Sequence, residues 1–435
     1  MEVYFGLGSN LGDRLAHLEA ALRALEHAGA RDIVASPTVE SPALLPAGAP
    51  ASWNRPYLNL VARARIARSE PDDWHRVIKS IETRLGRDLA ASRWSPRPVD
   101  IDILLWGRRT VRTERLTIPH PEIRERSFVL TPLAHLAPLM AIPGHGDSTV
   151  LEWAGRVRPI PLWMGIVNCT PDSFSGGGAF DPARLAAAVD EQVAAGVHWI
   201  DLGAESTRPG AWPVSPEEEW RRLEAPLREV IAHLRGARLP PGVSVDTRHP
   251  EVAERALVLG AQMVNDVSGL GTTGMRRLAR ESGAEWVAVH AVSVPADPGR
   301  RLPPRPPAPD TLVDWLARRR REWEDDGLDP ARILFDPGIG FGKDSLQALD
   351  LFAALDRFRA EGFRVLVGHS RKVWFAGGGP PAPERDPETL GASLALAARG
   401  VEVLRVHDVA LHARAYRSWA HVAEPPPAPS RTGGA

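Results

Sequence analysis

A chain of 435 residues is too long for one ordinary hydrophobic core, so two domains are expected. Apolar residues make up 43 % and charged residues 25 %, the composition of a soluble globular protein, and the net charge is −1 with acidic and basic residues balanced on both sides of residue 157, which argues against a nucleic-acid partner. The single cysteine, Cys169, excludes an internal disulfide, and no apolar run reaches the roughly 18 to 20 residues of a membrane span, so no membrane partner is expected.

Strand-like sequence begins at Glu2, which is read as leaving no room for a leader and makes the cytosol the expected compartment. The first part then runs strand (2–7), helix (13–28), strand (32–40), strand (57–67), helix (72–85) and strand (99–106). That βαββαβ order predicts an α+β sandwich of ferredoxin-like type with its helices on one face. Its last strand, "PVDIDILLW" (98–106), carries Asp100 and Asp102 inside an apolar run. Residues two apart on a strand project to the same side, so two carboxylates stand together. Either this is an edge strand with one solvated face, or a cation joins the pair, and oxygen ligands of this kind suit Mg²⁺ shared with a substrate phosphate. Just upstream, "GRDLAASRWSPRP" brings Arg87, Arg93 and Arg97 with Trp94 among them. As an alternative to a solvated basic loop, guanidinium forks beside a carboxylate pair are what a polyphosphate site requires.

The motifs "GLGSN", "PYLNLV", "SRWSPRPVDIDILLWG" and "LTIPHPEIRERSFVLTPL", in that order, resemble hydroxymethyl-dihydropterin pyrophosphokinase over about residues 2 to 155. The resemblance implies that Asp100 and Asp102 hold two Mg²⁺ ions against ATP, the substrate. It likewise implies phosphate contacts for Arg87 and Arg97 and a place at the triphosphate for His120. Tyr57, Asn59, Trp94 and Phe128 match residues around the pterin and the loop that closes over it. A flat pterin needs aromatic faces and an amide to read its edge; Asn59 is that amide or a structural asparagine. The sequence departs from the family at Leu89, where many members have a basic residue, and at Ser95, where they have glycine.

From residue 162 a second pattern recurs, a short apolar run ending in a polar residue and followed by a helical stretch. The runs end at Asn168, Asp201, Asp246, Asp266, His290, Asp336, Ser370 and Asp408. Eight such units predict a (β/α)₈ barrel whose strand ends form the active-site mouth. "GHSRK" and "RVHD" converge from the last two strands with Arg371, Lys372, Arg405 and His407, giving the mouth a basic side; Asp201, Asp246, Asn265 and Asp336 give the other side carboxylates and an amide for a donor-rich heterocycle.

"MGIVNCTPDSFS", "DLGAESTRPG", "SVDT", "VNDV", "DPGIGFGK", "SRK" and "RVHDV" resemble dihydropteroate synthase over about residues 160 to 422. The resemblance implies pterin contacts for Asp246, Asn265, Asp336 and Lys372. It implies pyrophosphate and Mg²⁺ contacts for Asn168, Arg405 and His407, and a p-aminobenzoate site from Thr207, Arg208, Phe341 and Ser370. It also implies a homodimer formed through the barrel. One strand departs, since Ala291, Val292 and Ser293 stand where members carry Met and Gln or Arg, ahead of the Pro-rich stretch 293–310.

The domains are therefore expected at 1–157 and 158–423, with a disordered tail at 424–435. The first would make the pyrophosphate ester that the second consumes, with ATP, hydroxymethyl-dihydropterin and p-aminobenzoate as substrates. Two alternatives stay open, a barrel acting as a methyl-folate-binding methyltransferase and one half being a binding module without turnover.

Overall fold

The computed structural model describes residues 1–423 apart from 68, 93, 170–174, 177–178, 206–212, 298 and 373–381. Arg93, Thr207, Arg208, much of the Gly-rich loop after Asn168 and the tail 424–435 thus lie outside the described residues. The chain divides into two compact units, one of Met1–Ile160 with the segment from Arg417, the other of Pro161–Tyr416.

The first unit contains β1 (Glu2–Ser9), α1 (Arg14–His27), β2 (Arg31–Ala35), β3 (Val39–Ser41), β4 (Tyr57–Arg65), α2 (Pro71–Arg84), β5 (Asp100–Trp106), β6 (Val111–Arg112), β7 (Thr117–Ile118), α3 (Ser127–Leu136) and α4 (Val150–Arg156). Local chemistry sets the ends: Asp13 accepts from the Ala16 amide to start α1, and Pro71 with Asp72 and Asp73 opens α2. The main sheet is antiparallel with order β2-β4-β1-β5, the ferredoxin-like order that the sequence predicts. The expected single strand over 32–40 is instead two. Pro37 has no N–H for the ladder, so pairing stops at Ser36, whose hydroxyl receives the Val61 amide at 3.0 Å, and β3 resumes the pairing with β4.

The helices also depart from the expected one-face arrangement. Phe5 packs on Trp74 of α2 at 5.8 Å, whereas its neighbour Tyr4 joins Val61 and Leu104 in a core with Leu130 and Leu133 of α3 and Val150 of α4. Adjacent strand residues face opposite ways, so α3 and α4 cover part of the second face. A register shift at Tyr4/Phe5 marks a bulge beside Asp102, and bulges commonly re-aim side chains near sites.

In the second unit β8 (Leu162–Asn168) leads through two short strands, β9 (Ser175–Gly176) and β10 (Ala179–Phe180), to α5 (Pro182–Ala194). Then follow β11 (Trp199–Gly203), α6 (Pro216–Leu234), β12 (Gly242–Asp246), α7 (Pro250–Leu259), β13 (Met263–Asp266), α8 (Thr273–Glu281), β14 (Glu285–Val289) and α9 (Ala308–Asp325). The rest are β15 (Ile333–Asp336), α10 (Ser345–Ala353), α11 (Leu355–Ala360), β16 (Arg364–Val367), α12 (Asp386–Ala398), β17 (Val403–Val406) and α13 (Val409–Ala423), which belongs to this unit up to Tyr416. Eight of these strands close a parallel barrel in chain order, with β17 returning to β8. Buried Trp286, Trp323, Phe335, Phe358 and Phe363 belong to its core, and every predicted barrel strand is present.

Candidate active sites

In the first unit, Asp100 and Asp102 on β5 stand opposite Gly8 and Gly6 on β1. The two glycines repeat the spacing of the two carboxylates and leave the sheet bare in front of them; a Cβ on Gly8 would lie 3.2 Å from Asn59 Oδ1 and 3.4 Å from the Tyr57 ring. All nine residues that the sequence assigned to this site, Tyr57, Asn59, Arg87, Trp94, Arg97, Asp100, Asp102, His120 and Phe128, line one cleft. Asn59 donates to Ser41 Oγ at 3.0 Å, which leaves its carbonyl oxygen the free end of the amide.

Both arginines converge on one carboxylate. Arg87 bonds to Asp100 and to Glu82, and Arg97 reaches Asp100 Oδ2 at 3.3 Å. Arg97 is itself placed by Asn10, whose side-chain oxygen receives its amide at 2.8 Å. With 40 % of its side chain open to the cleft, Asp102 is still held above the usual carboxylate range, by the surrounding walls first and then by the Asp100 charge, against the pull of Arg126 and Lys79. The His120 ring stands 3.9 Å from it, with Nδ1 accepting the Glu122 amide at 3.2 Å, so Nε2 carries the ring proton toward Asp102. An all-oxygen pair in which one carboxyl resists ionisation until a further cation arrives fits Mg²⁺.

Three contributors escaped the sequence reading. Lys79 and Arg126 also line the cleft, and Glu82 lies fully buried behind it, accepting from Lys79 at 2.8 Å, from Arg87 and from the Ile101 amide at 2.8 Å. A signal existed for Glu82, because it interrupts the apolar stripe of Trp74, Ile78 and Ile81 on α2. Arg126, paired with Glu122 and 5.5 Å from the Phe128 ring, sits within a motif already recognised.

At the barrel mouth, Arg405 on β17 binds Asp201 at 2.6 Å and Asp246 at 2.8 Å, and Asn265 donates to Asp201 at 3.2 Å. The expected division into a basic and an acidic side is therefore corrected, since Arg405 is neutralised among the carboxylates. Burial raises the Asp246 carboxyl while Arg405 pulls it back. Asp336 accepts from the amides of Gly338 at 2.7 Å and Gly368 at 3.2 Å, and burial still raises it. Lys372 donates to the Ile339 carbonyl at 2.7 Å and lies 4.7 Å from the Phe341 ring; burial lowers it to about 8, against the pull of Asp336. Ser370 Oγ and His407 Nδ1 share a 2.9 Å hydrogen bond, and Asn168 is exposed at the end of β8. Its amide oxygen is a hard ligand that a bound pyrophosphate would supplement, which fits one Mg²⁺.

Other strand ends prove structural. Asp266 accepts from the Ser268 and Leu270 amides at 2.7 and 2.9 Å, and Asp408 caps α13 through the Leu411 amide at 2.8 Å. The His290 ring, at a centroid distance of 5.1 Å from Trp315, is kept neutral by burial. Arg371 is engaged by Asp386 at 2.7 and 2.8 Å, which takes its charge away from the mouth.

A carboxylate pair flanked by arginines in one unit, and carboxylates, an amide and a lysine around a barrel mouth in the other, define a class: transferases that handle a donor-rich heterocycle and a phosphate ester. Residues 164–407 match the profile of the family described as "Pterin binding enzyme", and residues 4–138 that of "7,8-dihydro-6-hydroxymethylpterin-pyrophosphokinase (HPPK)". The folate synthesis bifunctional protein of Chlamydia trachomatis is 38 % identical over 443 residues, covering 96 % of this chain and 98 % of that protein. One from Arabidopsis thaliana is 32 % identical, covering 94 % and 93 %. Among solved structures, Xanthomonas albilineans dihydropteroate synthase with 4-aminobenzoic acid is similar with a TM-score of 0.54 and 36 % identity, over 60 % of this chain and 93 % of that one. The Anaplasma phagocytophilum enzyme with bound 6-hydroxymethylpterin-monophosphate gives 0.55 and 32 %, over 61 % and 99 %. The chain belongs to the family of bifunctional folate-synthesis proteins, with a pyrophosphokinase domain followed by a dihydropteroate synthase barrel, both transferases.

Proposed function

We propose that the first domain, 1–157, transfers pyrophosphate from ATP to 6-hydroxymethyl-7,8-dihydropterin, and that the second, 158–423, condenses the ester with p-aminobenzoate to give 7,8-dihydropteroate and pyrophosphate. The observation that carries this reading is the meeting of all nine first-domain residues in one cleft, with Arg87 and Arg97 locked on Asp100. Asp100 and Asp102 would hold two Mg²⁺ ions with ATP, and Asn168 one with pyrophosphate; bound there, the ions supply charge neutralisation for the phosphate oxygens.

Within the cleft, Tyr57, Asn59 and Phe128 hold the pterin so that its hydroxymethyl oxygen meets the β-phosphorus in line, while Arg87, Arg97 and His120 match the charge that develops as AMP departs. At the barrel mouth, Asp246, Asn265, Asp336 and Lys372 bind the pterin, and Ser370, Phe341, Thr207 and Arg208 surround p-aminobenzoate. The ester C–O bond breaks, positive charge on the pterin is stabilised by Asp246 and Asp336, and the arylamine nitrogen bonds to the methylene carbon and then loses its proton. Arg405 and His407 stabilise the leaving pyrophosphate.

Separate substitutions test the assignment. Asp102→Ala abolishes AMP formation and leaves dihydropteroate formation from added ester intact, whereas Asn168→Ala does the reverse; loss of both activities in either variant contradicts the division of labour. We place the enzyme in the cytosol as a homodimer through the barrel. Leu346 and Leu349, 74 % and 48 % exposed one turn apart on α10, support an apolar contact there, and no helix among the described residues is long and apolar enough to cross a membrane.

A further inference from the structure

Apart from the residues assigned to catalysis, Glu205, Glu219 and His249 bring one ligand-type atom each to within 4.8 Å of one another. They come from three places: Glu205 two residues beyond β11, Glu219 within α6, and His249 just before α7. Nε2 of His249 lies 3.9 Å from Oε2 of Glu205 and 3.9 Å from Oε2 of Glu219. Two atoms each roughly 2.0–2.2 Å from a common ion can span that separation.

Glu219 is completely buried, and neither its Oε1 nor His249 Nε2 has a hydrogen-bond partner among the described residues. Buried polar atoms left unpaired are costly, so the arrangement itself points to a ligand. Neighbouring donors hold both carboxylates, each through the oxygen that faces His249 Nε2, and each such oxygen keeps a further lone pair for an ion. Thr247 donates to Glu219 Oε2 at 3.0 Å and accepts the His249 amide at 3.1 Å, and Glu205 accepts from Arg248 at 2.8 and 3.0 Å and from the Val214 amide at 3.0 Å. Outer partners of this kind hold first ligands in metal sites.

We propose that Glu205, Glu219 and His249 bind a divalent cation of the class that takes imidazole together with carboxylate, Zn²⁺ foremost. One nitrogen with two oxygens suits Zn²⁺ better than Mg²⁺, which favours oxygen alone. The ion braces the turn that carries Asp246, three residues before His249, against β11 and α6. Arg248 adds positive charge to the site, so binding is weaker than at an all-acidic centre and occupancy follows the available metal.

The full-length protein, stripped with chelator and held in excess Mg²⁺ to keep the kinase carboxylates out of the count, is titrated calorimetrically with zinc chloride. Wild type should bind one Zn²⁺ that His249→Ala and Glu219→Gln each weaken at least tenfold, and crystals of the wild type should show a zinc-edge anomalous peak among the three side chains. Equal zinc binding in wild type and both variants overturns the site. So does an anomalous map with no peak there, which decides the matter even if a variant fails to fold.

Discussion

Glu82 illustrates how a residue that need not touch substrate governs those that do. It receives Lys79, Arg87 and the Ile101 amide from a fully buried position, so truncation strands the strand amide and takes from Arg87 one of its two carboxylates, leaving it Asp100 alone. Breaking buried charge networks in this way typically costs about 3–5 kcal/mol, and Glu82→Ala should lower stability by about 3 kcal/mol in denaturant unfolding while Glu82→Gln loses less. A loss below 1 kcal/mol would contradict the network. In the barrel, Lys372, lowered to about 8, is a cation below that pH and neutral above it. The kcat/KM of the condensation should therefore fall as pH rises through about 8, and Lys372→Arg should remove that limb, because arginine stays charged. Asp100 and Asp102 were legible because two charges at strand spacing inside an apolar run demand an explanation. Arg405 was legible as a residue but not as a partner of Asp201 and Asp246, since residues more than 150 apart in sequence meet only once the barrel closes.

At the scale of elements, β1 is shaped by what it lacks. A methyl group on Gly8 would crowd Asn59 and Tyr57, so Gly8→Ala should raise KM for the pterin severalfold with folding intact; an unchanged KM would detach β1 from the site. The exposed pair on α10 makes a second element-level prediction from the proposed homodimer: wild type should sediment as a dimer and Leu346→Glu as a monomer in analytical ultracentrifugation; a monomeric wild type would contradict the dimer, and a variant that stays dimeric would contradict α10 as its interface. The barrel strands could be read because each apolar run recurred with a following helix. The break between β2 and β3 was signalled by Pro37 and passed over. Helix α3 was harder, since "SFVLTPLAHL" is buried over most of its surface and carries Pro132, so it shows neither an amphipathic stripe nor an uninterrupted helical composition.

At the scale of the whole molecule, the product of the first domain is the substrate of the second, and each half should act when the other is blocked. Mixing Asp102→Ala protein with Asn168→Ala protein should therefore restore dihydropteroate formation from ATP through ester released into solution; no restoration would mean that the intermediate does not leave the chain. The most direct measurement is one time course of the wild-type protein with Mg²⁺, ATP, hydroxymethyl-dihydropterin and p-aminobenzoate, following AMP, pyrophosphate and dihydropteroate together. AMP should appear first, with dihydropteroate and pyrophosphate following in equal amounts. AMP with accumulating ester and no dihydropteroate, or no AMP at all, would contradict the joined activities.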